Sequence, residues 1–293
     1  MRSLEVRSAA VVAIGALALL SSCAVQPLAT AVHSGTYVAL GDSYAAGPGI
    51  TAPAGGPPGC ARSSRDYPSL VDSRAGYATF RDVTCSGATV ADLTTAQTTG
   101  AGINPPQLNA VARDTGLVTL TIGANDVGFG EVVARCLSGA RADPGGSACR
   151  PDFVHDGHDE LAARIGALAP ELDRALAEIR RRAPDASVLV VGYPRPLPSV
   201  VDGCDEAPLH PGDAAYLNAT VDALNTMLEQ RAEAAGDRYV DTASSSADHD
   251  ICRSPDLRWV EGSVPDSDAV PFHPNAAGME NTAGQVLSAR IVP

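Results

Sequence analysis

Five short apolar runs constrain this chain more than any other feature: Tyr37 to Leu40, Thr79 to Thr84, Leu117 to Ile122, Ser187 to Val191 and Arg238 to Val240. Each has the length of a strand, and each is separated from the next by enough sequence to hold a helix. The clearest helix is predicted over Asp159 to Arg182, where Leu161, Ile165, Leu168, Leu172, Leu176 and Ile179 keep to one face and arginines close the C-terminal end. Pro170 is expected to kink or split it. Further helices are predicted over Asp213 to Ala235 and Ala276 to Ala289. Strands alternating with helices, the central ones apolar almost throughout, imply a parallel sheet covered on both faces. Sites in such sheets form beyond the C-terminal ends of the strands. Ser43 follows the first run, Ser86 and Gly87 the second, and Asn125 and Asp126 the third.

The composition narrows the chemistry. With 293 residues, 45% of them hydrophobic, the chain can bury a substantial core. No internal repeat and no second composition regime divide it. Its 21 basic residues are all arginine. The absence of lysine excludes Schiff-base, pyridoxal-phosphate and P-loop chemistry. A net charge of −13 argues against a nucleic-acid partner and leaves neutral lipids and esters open.

The N-terminus reads as an export signal over residues 1 to 22, with Arg2 and Arg7 ahead of an apolar run from Ala9 to Leu20 that is too short to span a membrane as a helix. The run ends in Leu20-Ser21-Ser22-Cys23, which resembles a bacterial lipobox with Cys23 lipidated. Ordinary cleavage nearby, with Cys23 discarded, is the competing reading. Residues 23 to 35 are expected to form a tether and residues 36 to 293 the folded domain. Six cysteines remain beyond Cys23, an even number that implies disulfides in an exported chain. Six cysteines allow 15 pairings. The spacing favours sequential pairs, Cys60 with Cys85, Cys136 with Cys149 and Cys204 with Cys252, each closing one surface excursion and contributing about 3 kcal/mol.

A serine hydrolase needs a nucleophile, a base and donors aimed at the oxygen that becomes negative. Ser43, in "VALGDSYAAG", sits behind a glycine at a helix start, where a serine alone would be an N-cap. Gly87, in "CSGATVADL", offers a backbone N–H, and Asn125, in "LTIGANDVGF", a side-chain amide. His273, in "FHPNAAGM", precedes a helix that Pro274 and Asn275 would start. Each signal is weak alone, but together they lie in order at corresponding strand ends.

These four segments resemble the four blocks of the SGNH hydrolases, or GDSL esterase/lipase family, over roughly residues 36 to 290. The resemblance implies a flavodoxin-like three-layer α/β/α fold with a five-stranded parallel sheet. It implies Ser43 as nucleophile, His273 as general base and acid, and the Ser43 N–H, Gly87 N–H and Asn125 amide as oxyanion hole. Asp42 and Asp126 would hold the surrounding loops together. The chain has no Gly-x-Ser-x-Gly elbow. Many family members carry an Asp three residues before the histidine, where this chain has Val270. Some actinobacterial members use a main-chain carbonyl instead, and the arginine-only, six-cysteine character is similar to that secreted subgroup. A backbone carbonyl near Val270 is therefore expected to orient His273, with Asp268 and Asp266 as rivals.

Asp152 to Glu160 gathers His155, His158 and several acids, but acids at a helix N-terminus account for most of it. No metal or cofactor is expected. Arg195 is a further candidate for lining the site, and Asn218, within a predicted helix, is discounted as a glycosylation acceptor. The expected activity is that of a secreted lipase or esterase, extending to phospholipase A, anchored outside the cell membrane and acting as a monomer on an acyl ester. A carbohydrate acetyl esterase and a non-catalytic acyl- or glycan-binding lipoprotein are the competing readings.

Overall fold

The computed structural model describes residues 33–142, 149–198, 204–205 and 207–291. The expected export signal, Cys23 and most of the expected tether lie outside the described residues. The five apolar runs form one parallel sheet: β1 (His33–Gly41), β2 (Tyr77–Asp82), β3 (Thr115–Thr121), β4 (Ser187–Val191) and β5 (Arg238–Val240). Their spatial order is β2-β1-β3-β4-β5. The order reverses at β1, so β1 and β3 flank a crevice at their C-terminal ends. β1 begins at His33, paired with Tyr77, so the sheet takes up the last residues expected to belong to the tether.

The helices that matter to the site are α1 (Ser43–Ala46), α2 (Tyr67–Ala75), α3 (Ala124–Val127), α4 (Phe129–Ala142), α5 (Glu160–Arg182), α6 (Pro211–Ala234) and α7 (Ala276–Ile291). Alternate strand residues point to opposite faces. Val38, Leu40, Val118 and Leu120 bury against α5 and α6 through Leu172, Leu176, Val221 and Leu228. Tyr37, Ala39, Leu117 and Leu189 bury on the other face against Val71 of α2 and Met279 and Val286 of α7. The result is the three-layer α/β/α arrangement expected.

α5 is continuous through Pro170, which therefore does not split it. Pro170 is exposed, and a carbonyl left without its helical donor on that side can be hydrated. Disulfides join Cys60 to Cys85, Cys136 to Cys149 and Cys204 to Cys252. The segment around His155 and His158 forms a short two-stranded ribbon, and His155 bonds the Asp152 carbonyl through Nε2 at 2.9 Å. Among the described residues, no group of three or more His, Cys, Asp or Glu side chains is gathered as metal ligands would be.

Candidate active site

The turn that carries Ser43 is built where β1 runs out. Gly41 has φ 146°, and a Cβ on it would lie 2.5 Å from the Thr121 carbonyl oxygen on β3, so only glycine fits. The Gln107 amide grips both backbone groups of Gly41, accepting from its N–H at 2.7 Å and donating to its carbonyl at 2.9 Å. Asp42 then caps α1 by accepting the Tyr44 N–H at 2.9 Å. Ser43 is the first residue of α1 and lines the cavity that opens at the crevice.

His273 arrives from the far end of the chain. Its Nε2 lies 2.8 Å from Ser43 Oγ, although the two residues are 230 positions apart. Its Nδ1 lies 2.8 Å from the Pro271 carbonyl oxygen. This is the backbone acceptor facing the ring, one residue beyond Val270. The Val270 carbonyl instead accepts the His273 main-chain N–H at 3.3 Å. The rival carboxylates are engaged elsewhere: Asp268 bonds the Thr51 hydroxyl, and Asp266 pairs with Arg258. Asn275 caps α7 by accepting the Ala277 and Gly278 N–H groups, and its amide reaches the Arg258 carbonyl and Glu261, tying the histidine loop to the helix start.

Asn125 and the segment that carries Gly87 meet at the same end of the sheet. The Asn125 amide donates to the Ala88 carbonyl at 2.8 Å, which leaves its second N–H for a ligand. Asp126 accepts the Val90 N–H at 3.1 Å, so the Asn125 loop is laced to the segment that carries Gly87. Gly87 has φ 78° and open space beside it: the nearest atom a Cβ there would meet is Gln97 Nε2, at 3.7 Å. Arg195 turns away from the crevice to pair with Asp222 at 2.9 Å, and its neighbours Pro196 and Leu197 line the cavity instead. Asn218 lies within α6 and its amide bonds the Leu197 and Pro198 carbonyls.

Several residues that matter to this geometry were not singled out from the sequence. Tyr193 donates to Asp42 Oδ2 at 2.5 Å and accepts the Ala124 N–H at 3.0 Å, joining the Ser43 turn to the Asn125 loop. Tyr44 donates to the Phe272 carbonyl at 2.7 Å, and its ring lies 5.1 Å from those of both Tyr193 and His273. Tyr44 and Tyr193 lie beside strand ends, which is the signal available in the sequence. Their partners depend on packing.

Burial dominates the electrostatics. It pushes the Asp42 carboxyl up to about 7 against the pull of its hydrogen bonds from Tyr193 and Tyr44. It pushes Asp126 up to about 6 against the Val90 N–H. Burial also holds His273 below the usual imidazole value, with the Pro271 carbonyl pulling the other way. A base that is neutral near pH 7 can accept a proton from the adjacent hydroxyl.

A cavity of about 300 Å³ opens from Ser43, Asn125 and His273. Its wall is apolar: Phe129, Val133 and Leu137 from α4 face Leu197, Leu209 and Leu217.

A serine, an imidazole in hydrogen-bond reach and an apolar cleft beyond a parallel sheet define a serine ester hydrolase. The chain matches the GDSL-like Lipase/Acylhydrolase family over residues 39–280 and belongs to it. It is 39% identical to "Lipase 2" of Streptomyces coelicolor over 97% of this chain and 96% of that one. A crystal structure of an extracellular lipase from Streptomyces rimosus is similar at TM-score 0.71 and 31% identity, covering 87% of this chain and 99% of that one. Phospholipase A1 from Streptomyces albidoflavus NA297 is similar at TM-score 0.70 and 30% identity, covering 88% and 99%. The chain is thus a hydrolase of the lipase and esterase class.

Proposed function

We propose that the protein cleaves acyl-lipid esters through an acyl-enzyme on Ser43. The observation that carries this reading is the 2.8 Å approach of His273 Nε2 to Ser43 Oγ at the mouth of an apolar cavity. His273 takes the hydroxyl proton as Oγ attacks the ester carbonyl, then returns it to the departing alcohol. Water repeats the cycle on the acyl-enzyme, and the free acid leaves. The Ser43 N–H, Gly87 N–H and Asn125 amide receive the oxyanion, and losing one donor costs about a hundredfold in turnover. The Pro271 carbonyl accepts the Nδ1 proton and so keeps Nε2 free to act as base.

The apolar wall supports a fatty acyl chain in the cavity. An acetyl group would leave most of about 300 Å³ empty, so the fit disfavours an acetylated sugar. The phospholipase and lipase activities named for the similar Streptomyces proteins point the same way. The disulfides suit an exported protein. Residues 1 to 22 serve as the export signal, and a lipidated Cys23 with the short segment after it tethers the hydrolase outside the cell membrane.

The test is turnover of p-nitrophenyl esters of increasing chain length, alongside phospholipids and acetylated sugars, by native protein and Ser43→Ala. Native protein is expected to prefer medium or long acyl esters, with Ser43→Ala reduced at least about a thousandfold. A Ser43→Ala variant that matches native turnover contradicts the mechanism, and a preference for acetylated sugars contradicts the substrate class.

A further inference from the structure

The carbonyl that faces His273 is carried by a strained turn. Val270 to His273 form a four-residue turn closed by the His273 N–H on the Val270 carbonyl at 3.3 Å. Pro271 is its second residue and Phe272 its third, with φ 61°. Proline cannot adopt positive φ, so this combination is a type II turn, whose third position is normally glycine or asparagine. Phenylalanine is a poor occupant of that conformation. The type I alternative keeps the ends of the turn and flips its central peptide. That peptide contains the Pro271 carbonyl, so the flip would turn the acceptor away from His273 Nδ1.

Two hydrogen bonds hold the peptides on either side of Phe272 and so oppose relief of its positive φ. The Phe272 N–H, in the central peptide itself, donates to the Glu261 carbonyl at 3.1 Å. The Phe272 carbonyl, in the next peptide, accepts the Tyr44 hydroxyl at 2.7 Å. Tyr44 is the residue after Ser43, so this bond ties the nucleophile's own helix to the turn that presents the imidazole. Resting on the assignment of Ser43 and His273 as nucleophile and base, we propose that Tyr44 is a positioning residue. Its hydroxyl fixes the Phe272–His273 peptide, so that the strain at Phe272 is not relieved by turning His273 away from the Pro271 carbonyl, and it thereby shares the orienting task a carboxylate performs in a triad.

The test is a double-mutant cycle on a soluble short-chain p-nitrophenyl ester with native protein, Tyr44→Phe, Phe272→Gly and the double variant. Tyr44→Phe is expected to lower kcat about tenfold or more with KM changed less than about twofold, because misorientation affects the reacting groups and leaves the cavity intact. Glycine adopts positive φ without strain, so in the Phe272→Gly background the same change should cost less than about threefold. Phe272→Asn provides a second background of the same kind. An equal loss in native and glycine backgrounds, or no loss in the native background, overturns the proposal. Ser43→Ala separates the two levels. If it is inactive while Tyr44→Phe matches native protein, the positioning role alone fails; if it retains turnover, the underlying assignment fails and the positioning role with it.

Discussion

His273 is the group whose ionisation would govern turnover at the scale of single residues. Burial lowers its pKa below the free imidazole value of about 6.5, and the Pro271 carbonyl only partly offsets that. Catalysis needs the neutral ring, so activity should be full above the lowered pKa and fall as pH drops through it. The acid limb of kcat/KM against pH is therefore expected below about 6.5, and a limb above that value would contradict the assignment. Ser43, Asn125 and His273, which meet at the cavity, were legible in the sequence because each sits in a short block at a strand or helix end. Gln107, Tyr193, Tyr44 and Pro271 were not, because their roles are hydrogen bonds to partners fixed by the tertiary fold. Asp268 illustrates the difference: its closeness in sequence made it a rival, but its carboxylate meets Thr51.

Among the elements, the β1 to α1 turn and the segment after β2 are locked together beside the proposed oxyanion donors. The Cys85 N–H donates to the Gly41 carbonyl at 2.9 Å, the Ser86 N–H to the Cys60 carbonyl at 3.0 Å, and the Cys60–Cys85 disulfide closes the same corner. Replacing both cysteines by alanine should cost about 3 kcal/mol and lower Tm by roughly 5 to 10 °C in a thermal melt. An unchanged Tm would show that the hydrogen bonds alone hold the corner. The sheet was legible because its strands are apolar runs of strand length, and α5 because its buried positions keep a helical period. α2 and α4 carry no comparable signal. α2 has nine residues with Pro68 near its start, so its few buried positions give too short a pattern. α4 begins Phe-Gly-Glu, which reads as a loop until packing against the cavity fixes it.

On the scale of the whole molecule, a parallel sheet brings together groups that the chain keeps far apart, and its order reverses at β1 to leave the crevice they share. The arginine-only, acidic composition narrowed the class of substrate without locating the cleft, and the apolar wall comes from α4 and α6 with the Leu197 and Leu209 segments, which no local motif marks. In the proposed mechanism Ser43, activated by His273, becomes acylated. Incubation with a p-nitrophenyl alkylphosphonate, followed by intact mass and peptide mapping, reads this step at the residue itself. The expected result is one phosphonyl group per molecule on Ser43, activity lost in parallel, and labelling slowed at least about a hundredfold in His273→Ala. Full inactivation with the label on another residue, or an active enzyme whose Ser43 stays unmodified, would contradict it.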